Sequence, residues 1–310
     1  MNQNDDFSLN GDTLIYQPYY YGVTIDNYSR RSTPIISNAI TTVMLLQNGS
    51  MISWGGNGTK VPPEIAKLQD IVSISVTRYA FAALRANHSV VVWGHEDYGG
   101  QIPPEIAQLQ DIVSISATSG AFAALRSNRS VVAWGIQSGG QLPPTIAKLQ
   151  DIVSLSATDS AFSALRANRS VVGWGEGGWG YIPPEIAQLN DIVSLSATDF
   201  AAFAGLRADG SVVCWGGREG GIPSEIAKLK DLVSLSPAGN CAFAALRANG
   251  SVVAWGLQGL NVQVPPGIAR LQDIVSLSSS GRSFSVLREN GERLAWDVGN
   301  DNIVHSEYDD

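Results

Sequence analysis

Seven Trp-Gly or Trp-Asp pairs recur along the chain at Trp54, Trp93, Trp134, Trp174, Trp215, Trp255 and Trp296, spaced 39, 41, 40, 41, 40 and 41 residues apart. A period of this length restricts the chain to architectures in which one supersecondary unit is repeated and each copy buries its apolar face against the next. Residues 151–175 display the unit: Ile-Val-Ser-Leu-Ser-Ala, a short polar stretch, Ala-Phe-Ser-Ala-Leu-Arg, a turn, and Val-Val-x-Trp-Gly. A Gly-rich segment follows, then Pro-Pro-x-Ile-Ala-x-Leu or a close variant, present in six copies that start at Pro62, Pro103, Pro143, Pro183, Pro223 and Pro265.

The apolar runs are four to six residues long, rich in Val, Ile, Phe and Trp, and bounded by turn residues, which is the pattern of short strands. Each unit therefore predicts strands A (as in 152–157), B (161–166) and C (171–174), with a fourth strand D through the Gly-rich stretch into the prolines, where an outer edge tolerates proline. Asn48-Gly49, Asp209-Gly210, Asn249-Gly250 and Asn290-Gly291 lie between B and C and predict type I′ hairpin turns. The Pro-Glu-Ile-Ala segments predict one helical turn each. Seven units but six Pro-Pro segments leave one outer strand to be supplied by a terminus. The N-terminal stretch 13–23 is the favoured source and 302–305 the other. The expected architecture is all-β, a seven-bladed β-propeller of about 40-residue repeats closed by a terminal strand. Its expected parts are an N-terminal segment (1–34) that closes the ring with blade seven, the propeller (35–298) and an acidic C-terminal tail (299–310).

Hydrophobic residues make up 44% of the 310 and charged residues 15%, enough apolar material to build a packed interface between every pair of blades. The net charge of −8 argues against nucleic acid or an anionic membrane as partner, and no run of 18 apolar residues predicts a membrane-spanning helix. The polar, acidic first ten residues lack a secretory pattern. The expected location is therefore cytoplasmic, or exported by a route without a visible N-terminal signal, and the expected state is monomeric. Cys214 and Cys241 occupy unrelated places in the repeat and read as free thiols, with a disulfide between them as the alternative.

The Val-Val-x-Trp-Gly strand, the Gly-rich loop into proline and the Ile-Val-Ser-Leu-Ser-Ala strand together resemble the regulator of chromosome condensation repeat, over residues 35–298. Within that family the pattern is nearest to the seven-bladed bacterial propellers that inhibit β-lactamases. The resemblance implies the fold, and it implies no single function, because propellers of this kind serve as exchange factors, inhibitors, light sensors and toxin parts. The chain departs from many such repeats in lacking a Gly-x-x-His before strand B, having Thr-Asp-Ser-Ala-Phe at 158–162. It also lacks the Gly-Trp-Arg-His-Thr segments of the plant ultraviolet receptor, which argues against photoreception.

Comparing the lengths of the repeats with one another locates a candidate binding surface. From the strand B leucine to the tryptophan is nine residues in every unit, and from the first proline to the following aspartate eight in all six copies. From that aspartate to the strand B leucine is 14 in four copies and 15 in two, and from tryptophan to proline 8, 10, 9, 9, 8 and 10. All length variation thus lies in the A–B and C–D loops, which emerge on one face of an up-and-down sheet. That face is expected to carry Arg78, Tyr79, His95, Asp97, Tyr98, Asp159, Glu176, Trp179, Tyr181, Phe200, Arg218 and Arg282 as partner-binding residues, aromatic and charged groups on loops held by a rigid scaffold. Trp179 stands out as the tryptophan that is out of register with the repeat.

Catalytic and metal chemistry find no support in the sequence. His88, His95 and His305 offer no ligand spacing. Residues 175–180 match Gly-x-Gly-x-x-Gly but lead into prolines rather than a helix, and no Gly-x-Ser-x-Gly elbow occurs. Asn-x-Ser matches such as 128–130 read as hairpin turns. The expected function is a non-catalytic propeller that docks a partner protein, inhibitor- or effector-like, without cofactor or metal. A glycan- or small-molecule-binding lectin-like propeller is the alternative, disfavoured because the loops differ in every copy. A hydrolase or lyase with a site at the central channel comes third.

Overall fold

The computed structural model describes residues 8–9, 12–13, 24–26, 35–56, 58–135, 139–200, 202–216, 221–239, 242–256, 262–280, 282–298 and 305–306. Seven antiparallel sheets follow one another along the chain, each with its strands in sequence order, and together they are the seven blades of a β-propeller. Blade four is representative, with A at Ile152–Ala157, B at Ala161–Arg166 and C at Val171–Gly175. The six expected helical turns are present, from Pro63–Ala66 to Pro266–Ala269, and each buries its isoleucine.

Neighbouring blades share one core. Ala80, Ala82, Leu84 and Val90 of blade two pack against Phe122 and Trp134 of blade three, and the same arrangement recurs from blade to blade through Phe284 and Trp296 of blade seven against Ala242, Ala244, Leu246 and Val252 of blade six. Small residues on one face leave room for two large rings on the next. The rings lie over one another, with Phe–Trp centroids 5.1–5.7 Å apart in blades two to seven. Each such tryptophan therefore looks back at the preceding blade. Trp93, Trp134 and Trp174 also donate their indole N–H to carbonyls of Thr59, Gly99 and Gly139 in that blade's C–D loop, at 3.1, 3.1 and 3.0 Å.

Blade one breaks the pattern. Thr42 stands opposite Trp54 where the other blades place phenylalanine, and Trp54 is 45% exposed while the six other repeat tryptophans are buried. The matching face of blade seven carries Ser283, Ser285, Leu287 and Arg293 in place of Ala, Ala or Ser, Leu and Val. The first and last blades thus lack the complementary pair of surfaces used at the six internal interfaces.

Two series of backbone bonds lace the blades together. On the B–C side the first N–H of strand A donates to the turn carbonyl of the preceding blade, as in Ile112 to His88 (3.1 Å) and Ile152 to Arg129 (3.0 Å). On the A–B side Ala39, Arg78, Ser119, Asp159 and Asp199 each donate an N–H to the carbonyl at the equivalent position one blade on, ending at Gly239, over 2.6–3.3 Å. Six Arg–Asp pairs, one in each of blades two to seven, add a side-chain clamp between the end of B and the start of A, with nitrogen–oxygen distances of 2.7–3.0 Å.

Several local expectations need correction. The B–C turns are not type I′, because only the second turn residue has positive φ: 76° at Gly49, 64° at His88, 63° at Arg129 and 64° at Arg169. Gly49 N–H bonds to Leu46 and Leu46 N–H to Ser50, which is a type I turn closed by a left-handed bulge residue. The preceding Asn fits because its side-chain oxygen accepts from both the N–H and the hydroxyl of the following Ser, at 3.0 and 2.7 Å in Asn48–Ser50. Strand A carries an irregularity of its own. A bulge between Ile152 and Ser154 leaves Ile152 buried and Val153 exposed, and Val113, Val193, Val233 and Val275 are exposed likewise.

Among the described residues strand D is absent from blades one to six. Its segment runs into one or two prolines, which have no N–H to offer a ladder. Among the described residues blade seven alone has a fourth, outer strand, His305–Ser306, paired with Leu294 and Ala295. The stretch 13–23, expected there, lies outside the described residues except Thr13, which pairs with Ser8 in a small hairpin. A further strand, Thr24–Asp26, adds to the inner edge of blade two.

Candidate functional site

The variable loops converge on the A–B side of the ring, and the backbone belt there sets their spacing. Its successive positions are Ala39, Arg78, Ser119, Asp159, Asp199 and Gly239. One position thus carries a cation in blade two and carboxylates in blades four and five, while its backbone geometry stays constant. The threonine before it in blades two to five holds the loop shape: the Thr77 hydroxyl accepts from Ala80 N–H at 3.0 Å and donates to the Tyr98 carbonyl at 2.9 Å, tying the A–B loop to the C–D loop.

Five of the expected residues form one cluster on blade two. The Arg78 guanidinium sits 5.5 Å from the centre of the Tyr79 ring. Tyr79 meets Tyr98 edge-on at 4.8 Å, and Tyr98 meets His95 edge-on at 5.4 Å. His95 caps a single turn, Glu96–Tyr98, its Nδ1 accepting from Asp97 N–H at 3.3 Å, and Gly99 ends that turn with φ 89°. Nδ1 being the acceptor, the neutral ring carries its proton on Nε2.

A second cluster spans blades four and five. Trp179 and Phe200 meet edge-on at 6.3 Å. Trp179 is only partly exposed, since its ring packs against the core shared by blades four and five. Phe200, at 55%, and Tyr181, at 62%, are the open members. Asp159 and Asp199 lie beside them, joined by the 2.6 Å bond from Asp159 N–H to the Asp199 carbonyl. Burial pushes the Asp199 carboxyl up to about 6, and the neighbouring Asp159 charge adds to the effect. Burial raises Asp159 as well, opposed by the Ser119 hydroxyl and the Arg78 charge. Glu176 is exposed on the same side, its N–H donating to Ser160 at 3.1 Å. Arg282 is exposed at the A–B turn of blade seven, and Arg218 lies outside the described residues.

Sequence reading did not single out Ser119, whose hydroxyl and N–H both donate to the Asp159 carbonyl, at 2.8 and 2.9 Å. Its place one residue after the repeat threonine is the signal that could have found it. Among the described residues no three His, Cys, Asp or Glu side chains group as a metal site, and no helix is long and apolar enough to cross a membrane. Cys214 is a free thiol that burial pushes up to about 12; Cys241 lies outside the described residues.

No family model matches this sequence, and no curated protein matches it. Solved structures do resemble it. The ectodomain of the Physcomitrella patens receptor kinase CR4 superposes with a TM-score of 0.52 at 18% identity, covering 86% of this chain and 72% of that one. The Saccharomyces cerevisiae protein Prp20p, studied for its binding to Gsp1p and histones, gives 0.50 at 17% identity over 79% of this chain and 76% of its own. The ectodomain of the Arabidopsis thaliana receptor kinase ACR4 gives 0.50 at 15% identity, covering 86% and 93%. The fold is that of a seven-bladed propeller similar to the regulator of chromosome condensation, the protein that Prp20 is in yeast.

Proposed function

We propose that this chain is a non-catalytic propeller that docks a partner protein through the face carrying its A–B and C–D loops. The convergence of Tyr79, Tyr98, Phe200 and Tyr181 with Arg78, Asp159 and Asp199 on that face carries the reading. Aromatic and charged side chains held on short, laced loops lose little freedom on binding, so most of their contact energy is available to hold a partner. The structural neighbours support it in so far as Prp20p is itself a propeller whose binding to other proteins was studied. An enzyme of the β-lactamase type is one partner the sequence resemblance brings into consideration. The test is capture of partners on the immobilised protein, identified by mass spectrometry, with Tyr79→Ala/Phe200→Ala and Glu105→Gln/Glu185→Gln proteins in parallel. A specific partner should be lost with the first pair and kept with the second. Capture unchanged by both would rule out this face.

A further inference from the structure

Strand A of each blade turns one edge toward the axis of the ring, and in blade two that edge is taken. Thr24–Asp26 pairs antiparallel with it, Thr24 opposite Ser75 and Asp26 opposite Ser73, and Ser73, Ile74, Ser75 and Val76 are all buried there. The same strand lies against Ile112–Ala117 of blade three. Blades four and five repeat the sequence of strand A closely, with Ile-Val-Ser-Leu-Ser-Ala for Ile-Val-Ser-Ile-Ser-Val. Yet residues 154–157 and 194–197 stay partly exposed, and among the described residues these strands pair with strand B alone.

The ladder shows which backbone groups are left over. Thr158 N–H donates to Ala161 at 2.8 Å and Thr198 N–H to Ala202 at 2.9 Å. By antiparallel alternation, Ala157 and Leu155 in blade four and Ala197 and Leu195 in blade five then turn their N–H and C=O away from strand B. The same alternation turns Ile74 outward in blade two, where Ile25 stands opposite it. Pro237 holds the place of Ala157 and Ala197 in blade six, and a proline there has no N–H to turn outward. Open edges are ordinarily guarded by a charge or a proline along the strand. Strand A of blades four and five has neither, and its bulge lies at the start, before Ser154 and Ser194.

We propose that the inner edges of blades four and five are a binding site for an extended segment of a partner protein, taken up by strand addition. The site stands apart from the variable loops and does not depend on their being the docking surface. Leu155 and Ala157, or Leu195 and Ala197, would exchange backbone bonds with alternate residues of the segment, in the place that Ile25 takes opposite Ile74. The serines and alanines of these strands suit small or β-branched neighbours, the kind of residue that Thr24 and Ile25 are. A helix closes its backbone bonds within itself and would leave the edge unpaired. Nucleic acid calls for cations, and strand A of blades three to seven contains none. A second copy of the chain could supply Thr24–Asp26 only by giving up the pairing with its own blade two.

The probe is a fluorescein-labelled synthetic peptide with the sequence of residues 20–29, which carries the strand that blade two already accepts. It is titrated by anisotropy against the full chain, beside the same peptide N-methylated at its isoleucine, which keeps every side chain and removes one N–H. Two further proteins are Ala157→Pro/Ala197→Pro, giving blades four and five the residue that blade six holds there, and Tyr79→Ala/Phe200→Ala on the variable face. Circular dichroism confirms that each is folded. The peptide should bind the unaltered chain saturably. Affinity should fall tenfold or more on N-methylation and on the proline protein, and stay within twofold on the aromatic one. Hydrogen exchange on the unaltered chain, read by mass spectrometry, should slow at 152–158 and 192–198 when the peptide is bound, and it decides the matter if the proline protein does not fold. No saturable binding, or equal binding of the N-methylated peptide, would overturn the proposal. So would binding that ignores the prolines and protects only 71–76, which would be exchange at blade two. Loss on the aromatic protein alone would place the peptide on the variable loops, overturning this site and leaving the docking face intact.

Discussion

Replacing Trp134 and Trp54 separately by alanine compares an internal interface with the outer face of the first blade. Trp134 is 2% exposed, stacks on Phe122 at 5.2 Å and donates to the Gly99 carbonyl at 3.1 Å. An aromatic side chain buries about 150–250 Å², which at about 25 cal/mol per Å² amounts to roughly 4–6 kcal/mol as an upper bound. Tryptophan-to-alanine changes in cores cost about 3–5 kcal/mol, and Trp134→Ala should fall in that range. Trp54 is nearly half exposed and stacks on no ring among the described residues, so by the same area reckoning Trp54→Ala should cost no more than about 2–3 kcal/mol. With about 2–4 °C per kcal/mol for chains of 150–250 residues, the midpoints should fall by on the order of 10 °C and by a few degrees respectively. Urea denaturation followed by circular dichroism and by fluorescence would measure both, with coincident transitions and an unchanged m-value as the condition for comparing free energies. Equal losses for the two variants would refute the idea that Trp54 lies outside a core-like interface.

Arg129→Gly and Arg169→Gly should each stabilise the fold by about 0.5–1 kcal/mol, because an L-residue held at φ near +63° pays a steric cost that glycine avoids; thermal midpoints would show it, and a fall in either would refute it. Asp199→Asn should stabilise the protein at pH 7 and flatten its stability between pH 4 and 6. The folded carboxyl, raised to about 6, holds its proton there while the unfolded one releases it, so stability declines as pH rises through that window; a melting series across pH 4–7 reads the slope. Arg126→Lys should cost about 1 kcal/mol by replacing a two-pronged contact to Asp111 with a single point charge, and less in 1 M salt. In a Cys241→Ser background, Cys214, its thiol pushed up to about 12, should react with a thiol reagent at pH 8 far more slowly in the native than in the unfolded chain, and equal rates in the two states would contradict that shift.

The repeat, the strands and the helical turns could be read from the chain because period and residue type carry them directly. Phe122 opposite Trp134 and Ala82 against Phe122 follow from strand alternation once the blade is known. The backbone belt could not be read, since Arg78, Ser119, Asp159 and Asp199 share a position and not a side chain, and carbonyl-to-amide bonds leave no trace in residue type. The turn type is ambiguous for a similar reason: Asn-Gly suits two hairpin turns, and only the non-glycine residues His88, Arg129 and Arg169 at the second position distinguish them in the sequence. Trp179 drew notice as an off-register tryptophan, yet half its role is packing against its own blade pair, while Phe200 beside it offers more open surface.

The near-identity of the internal interfaces has a consequence for how the blade count is fixed. The small-residue face of blade three would accept the Phe–Trp face of blade six as readily as that of blade four, so local packing carries no address. Order is kept by the covalent chain alone, and number by the two end blades, whose outer surfaces fit nothing else in the series. A gene that gained one more middle repeat would encode an equally well-packed array; whether it formed a ring would be decided at Trp54 and Ser283–Arg293.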